Sequence, residues 1–240
     1  WIEIDDRQSN FDPSTGRFVV ASPDAVIDGV KVGRYLQTYS KRDFGPRLGF
    51  AYDVRGDART IIRGGFGMFW NFTPGGTSSS KAQNPPFLQS TALTTTFGTN
   101  LRLSEGLPPP PGVDPNRPPS GSTRSIFDID FRDAYSQNWN FNIQQQFGTN
   151  YMAEIAYVGS RGRNMLLKDN PNQAPATVGV TDPNINRPYA QISPALRDIG
   201  RVASTGTLDY HGLLTKFQRR FADNFSVLTS YTWSKAIDLN

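Results

Sequence analysis

His211 is the single histidine of the chain, so a proton shuttle working near neutral pH would fall to it first. It shares strand parity with Leu213 and Phe217, which allows a lipase-like His–Ser pair on a lipid-facing wall. A catalytic imidazole needs a positioned partner. None can be identified in the sequence, and packing or interface contact is the commoner role of such a residue. Asp128, Asp130 and Asp133, in FDIDFRD, are spaced so that their oxygens can meet a calcium ion at a loop rim. No EF-hand glycine or distal glutamate follows, which favours a solvated acidic loop. Gly64-Gly65-Phe66-Gly67 and Gly159-Ser160-Arg161-Gly162 neither open a helix nor carry the Walker lysine, so they read as strand glycines and a strand end rather than phosphate cradles. With no cysteine in the chain, disulfide scaffolds, thiolate metal sites and cysteine nucleophiles are excluded. No catalytic, cofactor-binding or metal-binding residue is assigned, and the chain is not expected to be an enzyme.

The elements that would position any site are extended. The chain has 240 residues, of which 37% are hydrophobic, and its 25 basic and 21 acidic residues leave a formal charge of +4. That excess is small and unclustered, so no nucleic-acid partner is expected. Sixteen Phe, nine Tyr and four Trp coexist with a mean hydropathy of -0.48, so the rings stand singly among polar residues. No run approaches the roughly 18 apolar residues of a membrane helix. Trp1 follows no leader in these residues, so a signal peptide is expected to be already removed or to lie outside them.

Period-two alternation runs through the chain in pairs. From Phe44 to Val54, apolar Leu48, Phe50 and Tyr52 alternate with Arg47, Gly49, Ala51 and Asp53, the pattern of a strand between two different environments. Thr60 to Phe72 sets Ile62, Phe66, Met68, Trp70 and Phe72 on one face with Gly64, and Arg63, Gly65, Gly67 and Asn71 on the other, though Ile61 and Phe69 also fall there. Phe131 to Phe147 alternates Tyr135, Trp139, Phe141, Ile143 and Phe147 with Ser136, Asn138, Asn140, Asn142 and Gln144. Tyr151 to Gly162 opposes Tyr151, Ile155 and Tyr157 to Glu154 and Ser160. Leu208 to Phe221 sets Leu213, Phe217 and Phe221 against Lys216, Gln218 and Arg220, and Phe225 to Ile237 sets Phe225, Val227, Tyr231 and Trp233 against serines.

The expected fold is therefore all-β: an antiparallel up-and-down meander of about six long strands. Three hairpins, over 44–72, 131–162 and 207–238, are joined by long irregular loops over 1–43, 73–130 and 163–206. Strands of about 11 to 15 residues exceed those of soluble sheets and suit a tilted membrane crossing. Tight turns at one end and long loops at the other are the outer-membrane barrel pattern. Aromatics fall in two groups on the apolar faces, as interface anchors do. Tyr52, Phe147, Tyr151, Phe221 and Phe225 stand near the tight turns; Trp70, Phe72, Tyr135, Trp139, Tyr157, Tyr231 and Trp233 stand toward the long loops. Arg47, Arg63, Asn138, Asn140, Asn142, Glu154, Lys216 and Arg220 face the expected lumen, where they line a path for anions or solvate the wall. Phe87, Phe97 and Tyr189 are loop rings with either a ligand or one another to contact. Six strands do not close a barrel, so the segment is expected to be a partial wall of a larger one, completed by further strands.

The runs RDFGPRLGFAYDVRGDARTIIRGGFGMFW (42–70), YMAEIAYVGSRGRNM (151–165) and LDYHGLLTKFQRRFADNFSVLTSYTWSKAID (208–238) resemble the TonB-dependent outer-membrane receptors, and within them the Oar-like barrel group. The resemblance covers most of the chain. It implies a barrel of about 22 strands around a plug domain, an energising TonB complex reached through parts outside these residues, outer-membrane lipid as surroundings, and a large extracellular substrate. A passive porin or surface adhesin shares every strand feature. A secreted soluble β-protein that binds carbohydrate through exposed rings is the alternative outside the membrane.

Overall fold

The structure, a computed structural model, describes residues 4–40, 43–71, 80–88, 104, 106, 121–179, 182–192, 194 and 196–239. Phe72 and Phe97 lie outside them. The chain divides into two compact units: 39–73, 132–167 and 204–240 form one, and 1–38, 74–131 and 168–203 the other.

The first unit is built on the long strands. In chain order these are β5 (Arg47–Asp53), β6 (Thr60–Asn71), β8 (Ala134–Phe147), β9 (Tyr151–Asp169), β10 (Leu196–Ala222) and β11 (Phe225–Leu239), and they lie side by side in that order. β5–β6, β6–β8, β8–β9 and β10–β11 pair antiparallel: Phe50 lies across from Gly64, Gly64 from Phe141, Phe141 from Tyr157, and Leu213 from Trp233. β5 and β11 each have a neighbour on one side only among the described residues.

The strand ends differ from those expected, for local reasons. Proline has no N–H to give to a ladder, so β5 starts at Arg47 after Pro46, whose carbonyl still accepts from the Met68 amide at 2.9 Å. Phe131 does not open β8. It packs with Phe127 and Val202 in a buried cluster, and the strand begins three residues later. β9 runs on to Asp169 and β10 starts at Leu196, so much of 163–206 is strand rather than loop. β7 (Gly121–Phe127) pairs in parallel with the first part of β10, a departure from a pure meander.

The second unit holds what the sequence marked as loops, and it has cores of its own. Two small hairpins, β1 (Ser9–Asp12) with β2 (Arg17–Val20) and β3 (Val26–Ile27) with β4 (Val30–Lys31), lead to a short 3-10 turn at Gly33–Tyr35. Ala21, Ala25, Ile27, Val32 and Leu36 form one buried cluster, and Phe11, Ile126, Leu196 and Ile199 another. Asp12 accepts from the amides of Ser14 and Asp28, which joins the two hairpins. Arg201 binds both carboxylate oxygens of Asp169, at 2.9 and 2.6 Å, with Asp128 3.9 Å away.

Asn10 is fully buried and holds three segments of this unit together. Its Nδ2 donates to the carbonyls of Leu36 and Phe127, and its Oδ1 accepts from the amides of Phe11 and Phe127. Asn10→Ala orphans the Phe127 amide and both carbonyls. It should cost about 3 kcal/mol, read as a loss of roughly 100-fold in amide exchange protection across 30–36 and 126–129.

Lys81 is also buried, donating to the Tyr35 carbonyl and to Gln37 with its ammonium 4.9 Å from the Phe127 ring centre. Burial lowers its pKa to about 8 from the usual 10.5. Between those values the unfolded chain binds more protons than the folded one, so stability from this group rises with pH and is lost as pH falls through 8. Protection of this unit should therefore increase from pH 8 to 10.5, by about 3 kcal/mol at most. The Lys81→Met variant should lack the increase.

Candidate functional site

The long-strand unit presents two unlike faces, because side chains alternate across each strand and the register aligns like with like. On one face stand Leu48, Phe50 and Tyr52, then Ile62, Phe66 and Trp70, then Tyr135, Trp139, Phe141 and Ile143, with Tyr151, Ile155 and Tyr157 beyond. β10 continues it, since Tyr151 stacks on Phe217 and Tyr157 on His211. Leu213 and Thr215 then bring Trp233 and Tyr231 of β11 to the same side. These residues are apolar and open: Leu48 is 75% exposed, Phe141 45% and Trp233 70%. A shallow groove on this face is lined by Ile143, Ala153, Ile155, Phe217 and Tyr231.

The other face is small and polar. Arg47, Gly49 and Ala51 of β5 meet Gly67, Gly65 and Arg63 of β6, which meet Asn138, Asn140 and Asn142 of β8. Asn142 and Asn138 in turn lie across from Ala156 and Ser160 of β9, and Gln144 from Glu154. Arg63 donates to Gln144 at 3.0 Å, Asn142 donates to Glu154, and the Arg47 guanidinium carbon lies 4.6 Å from the Phe69 ring centre. Lys216 alternates with Phe217 onto this side, across from Ser230. Arg220 lies where the β10–β11 register shifts, and its amide donates to the Asn150 carbonyl at 2.8 Å.

The register also sets the levels of the rings. Trp70 and Tyr135 pair and sit 5.0 Å apart, toward the long-connection ends. Tyr157 lies across from Phe141, six residues from the β8–β9 turn, and Tyr231 across from Thr215, six residues from Phe225. Both stand lower than their expected group, because β9 and β11 continue well past them.

His211 has a partner that the sequence did not disclose: Tyr157 Oη lies 2.7 Å from its Nδ1, with the rings stacked and Trp139 alongside. Two residues away, Asp209 binds Arg163 through both carboxylate oxygens and Arg161 through one. Arg219 was likewise not singled out. Its side chain is only 7% exposed and its guanidinium carbon lies 3.6 Å from the Phe225 ring centre. It donates to the carbonyls of Ala222 and Phe225 and pairs with Asp223, locking the β10–β11 turn. Two consecutive arginines at a turn signalled charge, but not which one folds inward.

Of the remaining candidates, Asp128 sits near Arg201, and Asp133 contributes its carbonyl to Asn164. Among the described residues no three His, Cys, Asp or Glu side chains are grouped to hold a metal. Tyr189 packs edge-on against Phe11, and burial raises its pKa. Phe87 is partly exposed. The glycine groups lie within β6 and β9, where glycine is required by a ring rather than by a ligand. A Cβ on Gly159 would come within 2.3 Å of the Trp139 indole, and one on Gly64 within 2.4 Å of the Phe50 ring. Gly159→Ala should cost about 1–3 kcal/mol through overpacking. The urea midpoint of the micelle-bound full-length protein should show that loss, and the loss should largely disappear in a Trp139→Ala background.

Residues 1–240 match the outer membrane beta barrel domain family. Comparison with curated proteins finds no match. Among solved structures, the chain is similar to the outer membrane transporter YddB from Escherichia coli, at 16% identity and a TM-score of 0.45, over 84% of this chain and 21% of that one. It is also similar to the siderophore receptor PirA from Pseudomonas aeruginosa, at 12% identity and a TM-score of 0.42, over 80% of this chain and 28% of that one. The chain thus spans under a third of either structure's length. With an apolar and a polar face carried on long antiparallel strands, and a family match along its whole length, the chain belongs to the outer membrane beta barrel domain family, and its place is the bacterial outer membrane.

Proposed function

We propose that this chain forms part of the wall of a TonB-dependent outer-membrane transporter for a large substrate, with its apolar face toward lipid and its polar face toward the lumen. The observation that carries the reading is the two-faced sheet itself: rings such as Phe141 and Trp233 lie open on one side, while Arg63, Asn140 and Glu154 share the other. An open apolar face this extensive would drive aggregation in water; in a bilayer it is the favoured surface.

In this reading the tight turns 54–59, 148–150 and 223–224 are periplasmic, as short barrel turns are. Segments 1–38, 74–131 and 168–203 are extracellular, where a folded unit can meet the substrate. The open edges at β5 and β11 pair with further strands of the same barrel, since unpaired backbone groups are not tolerated in hydrocarbon. The chain supplies no bond chemistry. The work of uptake comes from the TonB complex acting on a plug domain, both outside these residues. The Oar-like sequence runs at 42–70, 151–165 and 208–238 support the TonB-dependent assignment over a passive porin or adhesin.

Two measurements test this. Phe141 lies midway along β8 on the apolar face, so Phe141→Arg in the full-length barrel should lose about 2–4 kcal/mol in urea titrations of refolding into micelles. A neutral result would reverse the facing. Site-directed crosslinking of the full-length protein in intact cells should trap the TonB protein. A porin or adhesin would give no such adduct.

A further inference from the structure

Away from the β10–β11 turn, where Arg219 folds inward, the apolar face carries a charged group where an uninterrupted lipid contact would have none. Arg161 and Arg163 of β9 share Asp209 of β10, and Lys235 of β11 lies across from His211 on the same face. Two cations therefore share one carboxylate, and a third stands one residue pair further along β10 and β11 on the same face. Asp238, the next acidic residue along β11, lies across from Leu208 and so alternates to the other face. Arg161 is half exposed and uses only its Nε on Asp209; its two terminal nitrogens and the Lys235 ammonium make no hydrogen bond within the described residues.

The level of this group is set by the strands. Arg161 stands ten residues above Tyr151 at the β8–β9 turn, and Lys235 ten above Phe225 at the β10–β11 turn. At about 3.4 Å per residue and a tilt near 40°, that is roughly 26 Å along the membrane normal. An apolar band about 25 Å tall ends there, so the cations sit at the outer headgroup level. Trp139, Tyr157 and His211 form an aromatic platform just below them. The groove lined by Ile155, Phe217 and Tyr231 lies lower on the same three strands.

We infer that Arg161, Arg163 and Lys235 form a binding site for the phosphorylated headgroup of an anionic outer-leaflet lipid, whose acyl chain lies over Tyr157 and His211 toward the groove. The inference rests on the lipid-facing assignment proposed above. Arginine suits this role, since its planar fork matches phosphate oxygens while still bonding a carboxylate.

The test places the full-length protein in phosphatidylcholine nanodiscs containing a minor fraction of diphosphoryl lipid A and counts retained lipid by native mass spectrometry. The unmodified protein should retain lipid A in preference to phosphatidylcholine. Arg161→Gln with Lys235→Gln should weaken that retention about 30-fold, and Lys235→Gln alone about five-fold, at about one kilocalorie per mole for each cation near the surface. The Lys235 side chain makes no hydrogen bond among the described residues, so its variant keeps the assay readable if the double variant folds poorly. Asp209→Asn, which removes the one carboxylate, should retain lipid A at least as well as the unmodified protein. Retention unchanged in the cation variants, or lost equally in Asp209→Asn, overturns the site while leaving the wall assignment standing. Release of lipid A by millimolar inorganic phosphate overturns it in favour of a soluble-anion site. Failure of the unmodified protein to enter nanodiscs at all would overturn the lipid-facing assignment itself.

Discussion

Backbone hydrogen bonding in a medium without water is the constraint from which the long-strand unit follows. Each amide and carbonyl that enters hydrocarbon must be paired inside the protein, and the strands meet that demand through long antiparallel ladders, with a register shift only near the β10–β11 turn among the pairings described. β6 pairs along its full length with β8, from Thr60 to Asn71, and β8 with β9 from Tyr135 to Phe147. Once the ladders are aligned, the period-two pattern does the rest. Through the middle of the sheet, Ile62 meets Ile143, Phe66 meets Trp139 and Phe141 meets Tyr157, while Arg63 meets Asn142 and Asn138 meets Ser160.

Glycine takes an unusual share in this arrangement. Gly64 lies under Phe50 and Gly159 under Trp139, so large rings lie flat across a neighbouring strand instead of standing away from it. The glycines on the polar side, Gly49 and Gly65, lie across from each other. The strand glycines that the sequence marked are here the room required by rings and by close strands. The turns are governed differently. Asp53 accepts from the amides of Arg55, Gly56 and Ala58, and Arg219 closes on the Ala222 and Phe225 carbonyls, so two of the hairpin ends are each tied by one charged side chain.

The connecting segments are governed by water and by burial. They gather Phe11, Ile27, Leu36, Ile126, Leu196 and Ile199 into cores that the strand unit lacks, and they place Asn10, Asn84 and Asn172 inside, each bonded to backbone. Buried amides of this kind cross-link segments distant in the chain, because one Asn offers both donors and acceptors. Such a unit holds a defined surface, which an unstructured loop does not.

What the sequence determined by itself was the alternation: Tyr135 to Phe147 and Tyr151 to Tyr157 disclosed their two faces, and Gly148-Thr149-Asn150 the turn between them. Those are local properties, set by a side-chain period of two and by turn residues within a few positions. Where strands stop was less legible, because Phe131 leaves its alternating pattern for a core formed with Phe127 and with Val202, which lies 71 residues further along the chain from Phe131. The meeting of Arg161 with Asp209, of Tyr157 with His211, and of Asn10 with Phe127 was decided only by tertiary structure. Those partners lie 48, 54 and 117 residues apart. Register and packing between distant segments select them, and no local pattern carries that information.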